Sequence, residues 1–548
     1  METSDIQDAS ARIQIKGRSA RWHDMPALLR DKARVHGPRI LTVIDGRPLA
    51  YNELDRLSDL VAGHLHALGV REGACVASLM FNCVEQVLGW FGTNKLGAVW
   101  APLNASLTGD DLIYTLRDTG AKVLIVDAEN AGKVASLPAE MLSGLTVFVG
   151  PPAQPAAPIR SFQDLLKPTT PPPRPELRPG SPALILYSGG TTGMPKGVVM
   201  PHFAFICAGY RYGEVLQTTP EDCHYTTLPM FHGSGTQFGI IGPMLNDMTS
   251  VMDRRFSVSS YWERVRQAGA TIVDPIGTMM TVLTQAPESP NDRNHKVRIS
   301  TGVNGQVPEW VPARFIERFG IQVVDIYGST ESGGAMLVSN QLGSQVEGAV
   351  GHPNGWSQIA ILDANDNPVP PGVVGEIGMR PTVPFSFMLG YHNNPAKSVE
   401  AWRNLWLHTG DLGRVDEAGN LFFVGRQVHW LRRRGENISA YEIEDIVSRH
   451  PGVEECIAVG VPAELGEEDV KIFVIARDPT LSHSEIIDWC MSKMAAFKVP
   501  RYVAFVDDFP RSATKREVER NKVKAMQIPD AWDREVHMGR LSTQSRGN

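Results

Sequence analysis

The stretch with the most chemistry in it is Tyr187-Ser188-Gly189-Gly190-Thr191-Thr192-Gly193-Met194-Pro195-Lys196-Gly197, a loop of glycines and hydroxyls with one lysine, set directly after the apolar run ALILYS. Glycines let backbone N–H groups converge on an anion, hydroxyls add donors, and an ammonium group adds a point charge, so the loop is built to cradle phosphate. It does not follow G-x-x-x-x-G-K-[ST], because Met194-Pro195 stands before Lys196, and this excludes a P-loop NTPase. No G-x-S-x-G elbow and no H-E-x-x-H occurs, and S-x-x-K at Ser512–Lys515 lacks the S-D-N and K-T-G partners of a β-lactamase-type site.

The elements needed to hold such a loop can be read on both sides of it. Residues 50–150 alternate helical and strand-like patterns, as in LDRLSDLVAGHLHALG followed by ACVASLMF, which predicts α/β units on a parallel sheet. Eleven prolines between 151 and 182 predict an irregular surface connection. Beyond the loop, VVDIYG (323–328) reads as a strand, and SQIAILDANDNPVPPGVVGEIGMRP as two strands joined by a Pro-Pro-Gly turn. LGRVDEAGNLFFVGR reads as a hairpin. After Arg426 the pattern changes. Ser439 with Glu442, and Ser482 with Glu485, form S-x-x-E capping boxes ahead of helical runs, with strand-like CIAVGV and DVKIFVIA between them. The expected fold is therefore α/β: a large N-terminal domain with parallel sheets and a smaller β-rich subdomain, then a small α+β C-terminal domain. The boundaries read as 1–425, a hinge at 426–430, a domain over 431–528 and a flexible tail over 529–548.

At 548 residues, with 42% apolar and 21% charged residues, the chain has the composition of a multi-domain globular protein. A net charge of −7 without any block of like charges argues against a nucleic-acid partner. Six scattered cysteines (Cys75, Cys83, Cys207, Cys223, Cys456, Cys490) form no C-x-x-C pair, which predicts reduced, mostly buried thiols in a cytoplasmic protein. No signal peptide, lipidation address or transmembrane segment is read, and the oligomeric state is not readable.

SGGTTGMPKGVV resembles the phosphate-binding signature of the adenylate-forming superfamily, which includes acyl-CoA synthetases, firefly luciferase and peptide-synthetase adenylation domains. Four more motifs follow in that family's order: LPMFHGSGT (228–236) is similar to its acyl-pocket motif, IYGSTE (326–331) to its adenine and magnesium motif, LHTGDLG (407–413) to its ribose motif and RRRGENIS (432–439) to its mobile-domain motif. The resemblance implies that Ser188, Gly189, Gly190, Thr191, Thr192, Gly193 and Lys196 hold ATP phosphates, that Tyr327 with Gly328 and Ser329 meets adenine, that Thr330 touches the α-phosphate and that Glu331 holds Mg²⁺. It implies further that Asp411 accepts the ribose hydroxyls with Arg426 beside it, that Gly435 and Glu436 belong to the mobile-domain motif, and that His232 stands between the nucleotide and acyl sites.

Three segments depart from the family pattern. Gly302-Val303-Asn304-Gly305 takes the place of the usual Gly-Gly-Ala-Pro, so Asn304 and Gly305 would line the adenine and acyl pockets. Val428-His429 occupies the hinge where Asp or Lys is common. The final P-K-T-x-x-G-K-x-x-R appears as PRSATKREVER, leaving Lys515 or Arg516 for the adenylation lysine. The function implied is ATP-dependent activation of a small carboxylic acid to acyl-AMP, then thioester formation with coenzyme A, because RRRGENIS and GYHNNP resemble carnitine-CoA ligase-like and fatty-acid-transport-like ligases. Transfer to an amine or a carrier-protein thiol, and a nucleotide-binding protein impaired in catalysis, stay open as alternatives.

Overall fold

The computed structural model describes residues 13–151, 159–188, 195–302, 310–344, 346–426, 430–433, 436–463, 468–494, 498–511, 518–526, 528 and 531–537. Two compact units divide the chain: Met1–Gly305, Pro312–Ile359 and Met379–Leu407 in the first, and Gln306–Val311, Ala360–Gly378 and His408–Asn548 in the second.

In the first unit the alternation read over 50–150 becomes the helices Tyr51–Ala67 and Val84–Asn94 and the strands Cys75–Leu79 and Val99–Leu103. These strands join an eight-stranded sheet. Its six strands from Pro182–Ser188 to Arg160–Ser161 are parallel, and Lys196–Pro201 and Gly390–Tyr391 extend one edge antiparallel. Parallel strands carry helices on their faces, so Val76, Ala77, Leu79, Leu124 and Val126 are all buried, as the continuous apolar runs require. A seven-stranded sheet, parallel except for the Arg47–Ala50 edge, holds Cys223–Thr226 and Gln322–Val324. A three-stranded antiparallel sheet follows from Ile326–Ser329, Gly334–Ser339 and His352–Pro353. The single strand expected at 323–328 is thus two strands in two sheets, parting at Asp325.

The proline-rich segment is only partly the irregular connection expected. Arg160–Ser161 pairs with Thr146–Val149, and Phe162–Leu166 forms a 3-10 turn whose Phe162 and Leu165 are buried. Prolines flank that turn without entering it, and two apolar residues are enough to anchor it.

Strands Ser357–Leu362, Gly375–Pro381, Leu407–Val415 and Leu421–Arg426 form a four-stranded sheet, the last two as the expected hairpin. In the second unit Val453–Pro462 and Glu468–Ala476 pair antiparallel, Tyr502–Phe505 adds parallel, and Trp532–Asp533 completes the sheet. Ile443, Val447, Ile486 and Ile487 from two helices close over Val470, Ile472 and Val474. Within 529–548, read as a flexible tail, Trp532–Asp533 is a strand and Arg534–His537 a helical turn. The reason is packing that periodicity does not reveal: the Trp532 ring stacks on His483, in a helix much earlier in the chain, and on His537. The hinge expected at 426–430 lies largely outside the described residues.

Both halves of the capping box read at Ser482 and Glu485 are present: Ser482 Oγ accepts from the Glu485 N–H, and the Glu485 carboxylate accepts from the Ser482 N–H at 2.8 Å. The Ser439 and Glu442 side chains lie outside the described set. Ser482→Ala should destabilise the second unit by about 1 kcal/mol, read as a lower urea midpoint of its transition at unchanged slope; an unchanged midpoint would show that the cap is not needed there.

Candidate active site

The phosphate-type loop leaves the carboxyl end of Pro182–Ser188 and returns as Lys196–Pro201, the two strands pairing so that Ser188 stands opposite Lys196. Ligands of open parallel sheets bind at such carboxyl ends. Gly189, Gly190, Thr191, Thr192 and Gly193 lie outside the described residues, as does the Ser188 side chain; the stems of the loop are described. Tyr187 donates its hydroxyl to Asp118 Oδ2 at 2.8 Å. On the other stem the His392 N–H donates to the Gly197 carbonyl at 2.7 Å, while His392 Nε2 and the Asn393 amide both reach the Asp118 carbonyl. One helix end, at Asp118, therefore ties both stems. Burial and the Asp118 carboxylate push the Tyr187 phenol well above its ordinary range, so it stays a donor.

The next strand outward, Gly390–Tyr391, lies against Lys196–Pro201 with Tyr391 opposite Val198. The Tyr391 ring lies under the Lys196 ammonium, 5.2 Å from nitrogen to centroid, a cation–π separation. Its hydroxyl donates to Glu331 Oε1 at 3.1 Å. Burial first, and then Glu331, raise the Tyr391 phenol, which keeps the proton on its oxygen. Lys196 and Glu331, far apart in sequence, are thus brought to one tyrosine, the ammonium over its ring and the carboxylate at its hydroxyl.

Glu331 sits at the tip of a tight turn between Ile326–Ser329 and Gly334–Ser339. Inside that turn Ser332 Oγ accepts from the Ser329 N–H at 2.8 Å, Ser329 Oγ accepts from the Ser332 N–H at 3.2 Å, and the Gly333 N–H donates to the Thr330 carbonyl at 3.1 Å. The Met388 N–H holds the Glu331 carbonyl at 2.9 Å. Gly333 has φ +79°, and a β-carbon there would stand 2.0 Å from the Ser386 carbonyl oxygen, so no other residue fits. Tyr327 is buried in the strand below, while Gly328, Ser329, Thr330 and Glu331 are half-buried. The donor set suits Mg²⁺, which takes one or two carboxylates and completes its shell with phosphate and water oxygens; Glu331 is such a carboxylate, held among the described residues at Oε1. His232 begins the short helix Gly233–Thr236 and is half-buried, its ring tilted on Phe231 at 4.9 Å.

Asp411 is buried in the strand Leu407–Val415, directly opposite Arg426 in the hairpin register. Its N–H donates to Thr409 Oγ1 at 3.1 Å, and the Thr409 hydroxyl donates to the Ile377 carbonyl at 2.7 Å. The Gly410 N–H and the His408 ring are both fixed on the Glu376 carboxylate. The Arg426 and Glu436 side chains, and Asn304, Gly305, Val428, His429, Gly435, Lys515 and Arg516 entirely, lie outside the described residues. Tyr391 is the residue that motif reading passed over. It was in view within GYHNNP, but a tyrosine on a two-residue edge strand has no spacing to mark it.

All six cysteines are free; Cys207, Cys456 and Cys490 are buried and the others half-buried. Burial pushes the Cys75, Cys207 and Cys490 thiols up to about 12 and Cys223 to about 11, which removes them as nucleophiles. Among the described residues no helix is long and apolar enough to cross a membrane.

A model of the AMP-binding enzyme family matches residues 29–392, and one of the AMP-binding enzyme C-terminal domain matches residues 442–516. The chain belongs to this family. It is 31% identical over 481 residues to a crotonobetaine/carnitine–CoA ligase of Escherichia coli O8, covering 86% of this chain and 92% of the relative. Among solved structures, an anthranilate CoA ligase in complex with anthranoyl-AMP superposes with a TM-score of 0.84 at 26% identity, over 92% of this chain and 96% of that one. The O-succinylbenzoate coenzyme A synthetase of Bacillus subtilis, in complex with ATP and magnesium ion, superposes with a TM-score of 0.78 at 25% identity, over 91% and 99%.

Replacing Tyr391 by Phe deletes one hydrogen bond to Glu331 and keeps the ring beneath Lys196. Calorimetric titration with ATP and Mg²⁺ should show affinity lowered about five- to tenfold, and Tyr391→Ala should cost more. Equal affinity in all three proteins would mean that Tyr391 organises neither charge.

Proposed function

We propose that this chain activates a small carboxylic acid with ATP, forming acyl-AMP and releasing pyrophosphate, and then transfers the acyl group to the thiol of coenzyme A. The observation that carries this reading is the placement of one cation and one carboxylate on a single tyrosine, Lys196 over the Tyr391 ring and Glu331 at its hydroxyl, with Lys196 on the strand paired to Pro182–Ser188. Attack of a carboxylate on the α-phosphorus brings two anions together, so a site for it must spread positive charge over the polyphosphate before the bond forms. A lysine within about 4 Å of a phosphate supplies up to about 4 kcal/mol at an effective dielectric near 20, before desolvation is subtracted.

In this reading Lys196, with the hydroxyls of Thr191 and Thr192, holds the β- and γ-phosphates. Tyr327 takes the adenine face, Thr330 the α-phosphate, and Asp411 the ribose hydroxyls. Glu331 holds Mg²⁺, which when bound neutralises phosphate charge and polarises the α-phosphoryl group. The acid's carboxylate oxygen then bonds to phosphorus as the bond to the pyrophosphate oxygen breaks. In the second half-reaction the coenzyme A sulfur bonds to the acyl carbon and AMP leaves with the bridging oxygen. Hinge motion near 426–430, carrying the 431–528 domain, would exchange one environment for the other. Lys515 is assigned the cation that meets the attacking carboxylate. The acid is a small carboxylate, as in the anthranilate, O-succinylbenzoate and carnitine ligases the chain is similar to.

Glu331→Gln and Asp411→Asn should each lower single-turnover acyl-AMP formation about 10²- to 10³-fold, the loss typical of one transition-state electrostatic contact. Wild-type rates in both variants would remove the nucleotide site from these positions. Lys515→Ala should cut adenylation while sparing thioester formation from supplied acyl-AMP, and Arg516→Ala should do less. The opposite ranking, measured in separated half-reactions, would give the role to Arg516.

A further inference from the structure

The turn that presents Thr330 and Glu331 rests on a charge that no motif includes. Arg211, in the helix His202–Leu216, is 1% exposed. Its Nη2 donates to the Gly333 carbonyl at 2.7 Å, and this is its one hydrogen-bond acceptor among the described residues. Gln237 Nε2, from the π turn Gln237–Ile241, donates to the same carbonyl at 3.2 Å. The Trp356 ring lies 5.8 Å from the guanidinium carbon, and burial lowers the guanidinium to about 10, which still leaves it charged at neutral pH.

A buried guanidinium is costly to keep, and here it is aimed at one peptide carbonyl two residues after Glu331. That carbonyl sits in the segment with the least freedom in the turn. Gly333 is held at φ +79° with the Ser386 carbonyl against its Cα, and a β-carbon on Gly334 would stand 1.9 Å from Gln237 Oε1. The contacts between Ser329 and Ser332 and from Gly333 to Thr330 are internal to the turn and would travel with a rotation of the Gly333 peptide, whereas the Met388 N–H on the Glu331 carbonyl and the Tyr391 hydroxyl on its carboxylate hold Glu331 directly from outside. The Gly333 peptide is the further point at which the turn is held from outside, on the far side of Glu331. The two side-chain donors fix that peptide from outside the turn.

We infer that Arg211, seconded by Gln237, is a positioning residue for the metal–nucleotide site: it locks the Gly333 peptide and so sets the aim of the Glu331 carboxylate. The inference rests on the proposed role of Glu331. Arg211 touches no substrate in this account and acts only through the turn, so its loss should be felt in magnesium-dependent binding of ATP and not in ATP binding as such. A merely structural arginine would weaken both alike.

The test is calorimetric titration of the full chain with ATP, in excess Mg²⁺ and again in EDTA, for wild type, Arg211→Met, Arg211→Lys, Gln237→Met and Glu331→Gln. Arg211→Met should lower affinity about tenfold or more in Mg²⁺, the size of one hydrogen bond from a charged donor, and change it less than twofold in EDTA. Arg211→Lys should recover part of the loss, and Gln237→Met should show a smaller loss of the same magnesium-dependent kind; if Arg211→Met fails to fold, Gln237→Met decides alone. Equal weakening in both media, or no weakening in either, overturns the inference. If Glu331→Gln abolishes the magnesium dependence and the Arg211 and Gln237 variants keep it, Arg211 alone is wrongly assigned. If wild type itself binds ATP equally with and without Mg²⁺, the role of Glu331 falls and this inference with it.

Discussion

The hydrogen bond from Tyr391 to Glu331 joins two parts of the first unit that the chain forms separately, the antiparallel edge of the eight-stranded sheet and the tight turn of the three-stranded one. The edge pairing with Lys196–Pro201 fixes the height of the tyrosine, and the paired serines at 329 and 332 fix the turn. When both are in place, one phenol holds a lysine over its ring and a carboxylate at its hydroxyl. A rigid aromatic spacer suits this duty: it has two side-chain torsions to lose, its face attracts an ammonium group, and burial keeps its hydroxyl protonated.

The same economy recurs around the phosphate-type loop. A loop rich in glycine and threonine has little packing of its own, so its stems have to be held by neighbours. Asp118 does this from one helix end, receiving Tyr187 from one stem and His392 and Asn393 from the segment that grips the other. Asp411 is placed by similar means, a buried strand position flanked by Gly410 and His408 on Glu376. In each case the residue expected to meet the nucleotide is oriented by partners that do not meet it.

Local sequence carried much of this. The strand ALILYS before the glycine–threonine loop, the strands of CIAVGV and DVKIFVIA, the DEAGN hairpin and the Ser482 cap follow from patterns of neighbouring residues, and all stand where those patterns put them. What could not be read depends on distant contacts. Tyr391 owes its place to an edge pairing with a strand almost two hundred residues earlier, Arg211 to a carbonyl 122 residues away, and Trp532 to rings on either side of it. The Arg160–Leu166 stretch was hidden by the prolines around it, because composition averages over a window and the two anchoring residues, Phe162 and Leu165, do not. The motifs resembling a known family supplied the roles, and the geometry supplies reasons why those positions could bear them.

The central claim is that an acid's own oxygen becomes bonded to the α-phosphorus of ATP, and an isotope follows that oxygen directly. A panel of small carboxylic acids first identifies one that supports AMP release in the presence of coenzyme A. That acid is then supplied with both carboxylate oxygens as ¹⁸O, and the nucleotide product is weighed by mass spectrometry after turnover with ATP, Mg²⁺ and coenzyme A. The account predicts AMP carrying one ¹⁸O, with unlabelled pyrophosphate. Unlabelled AMP, or ADP accompanied by ¹⁸O-labelled phosphate, would contradict it.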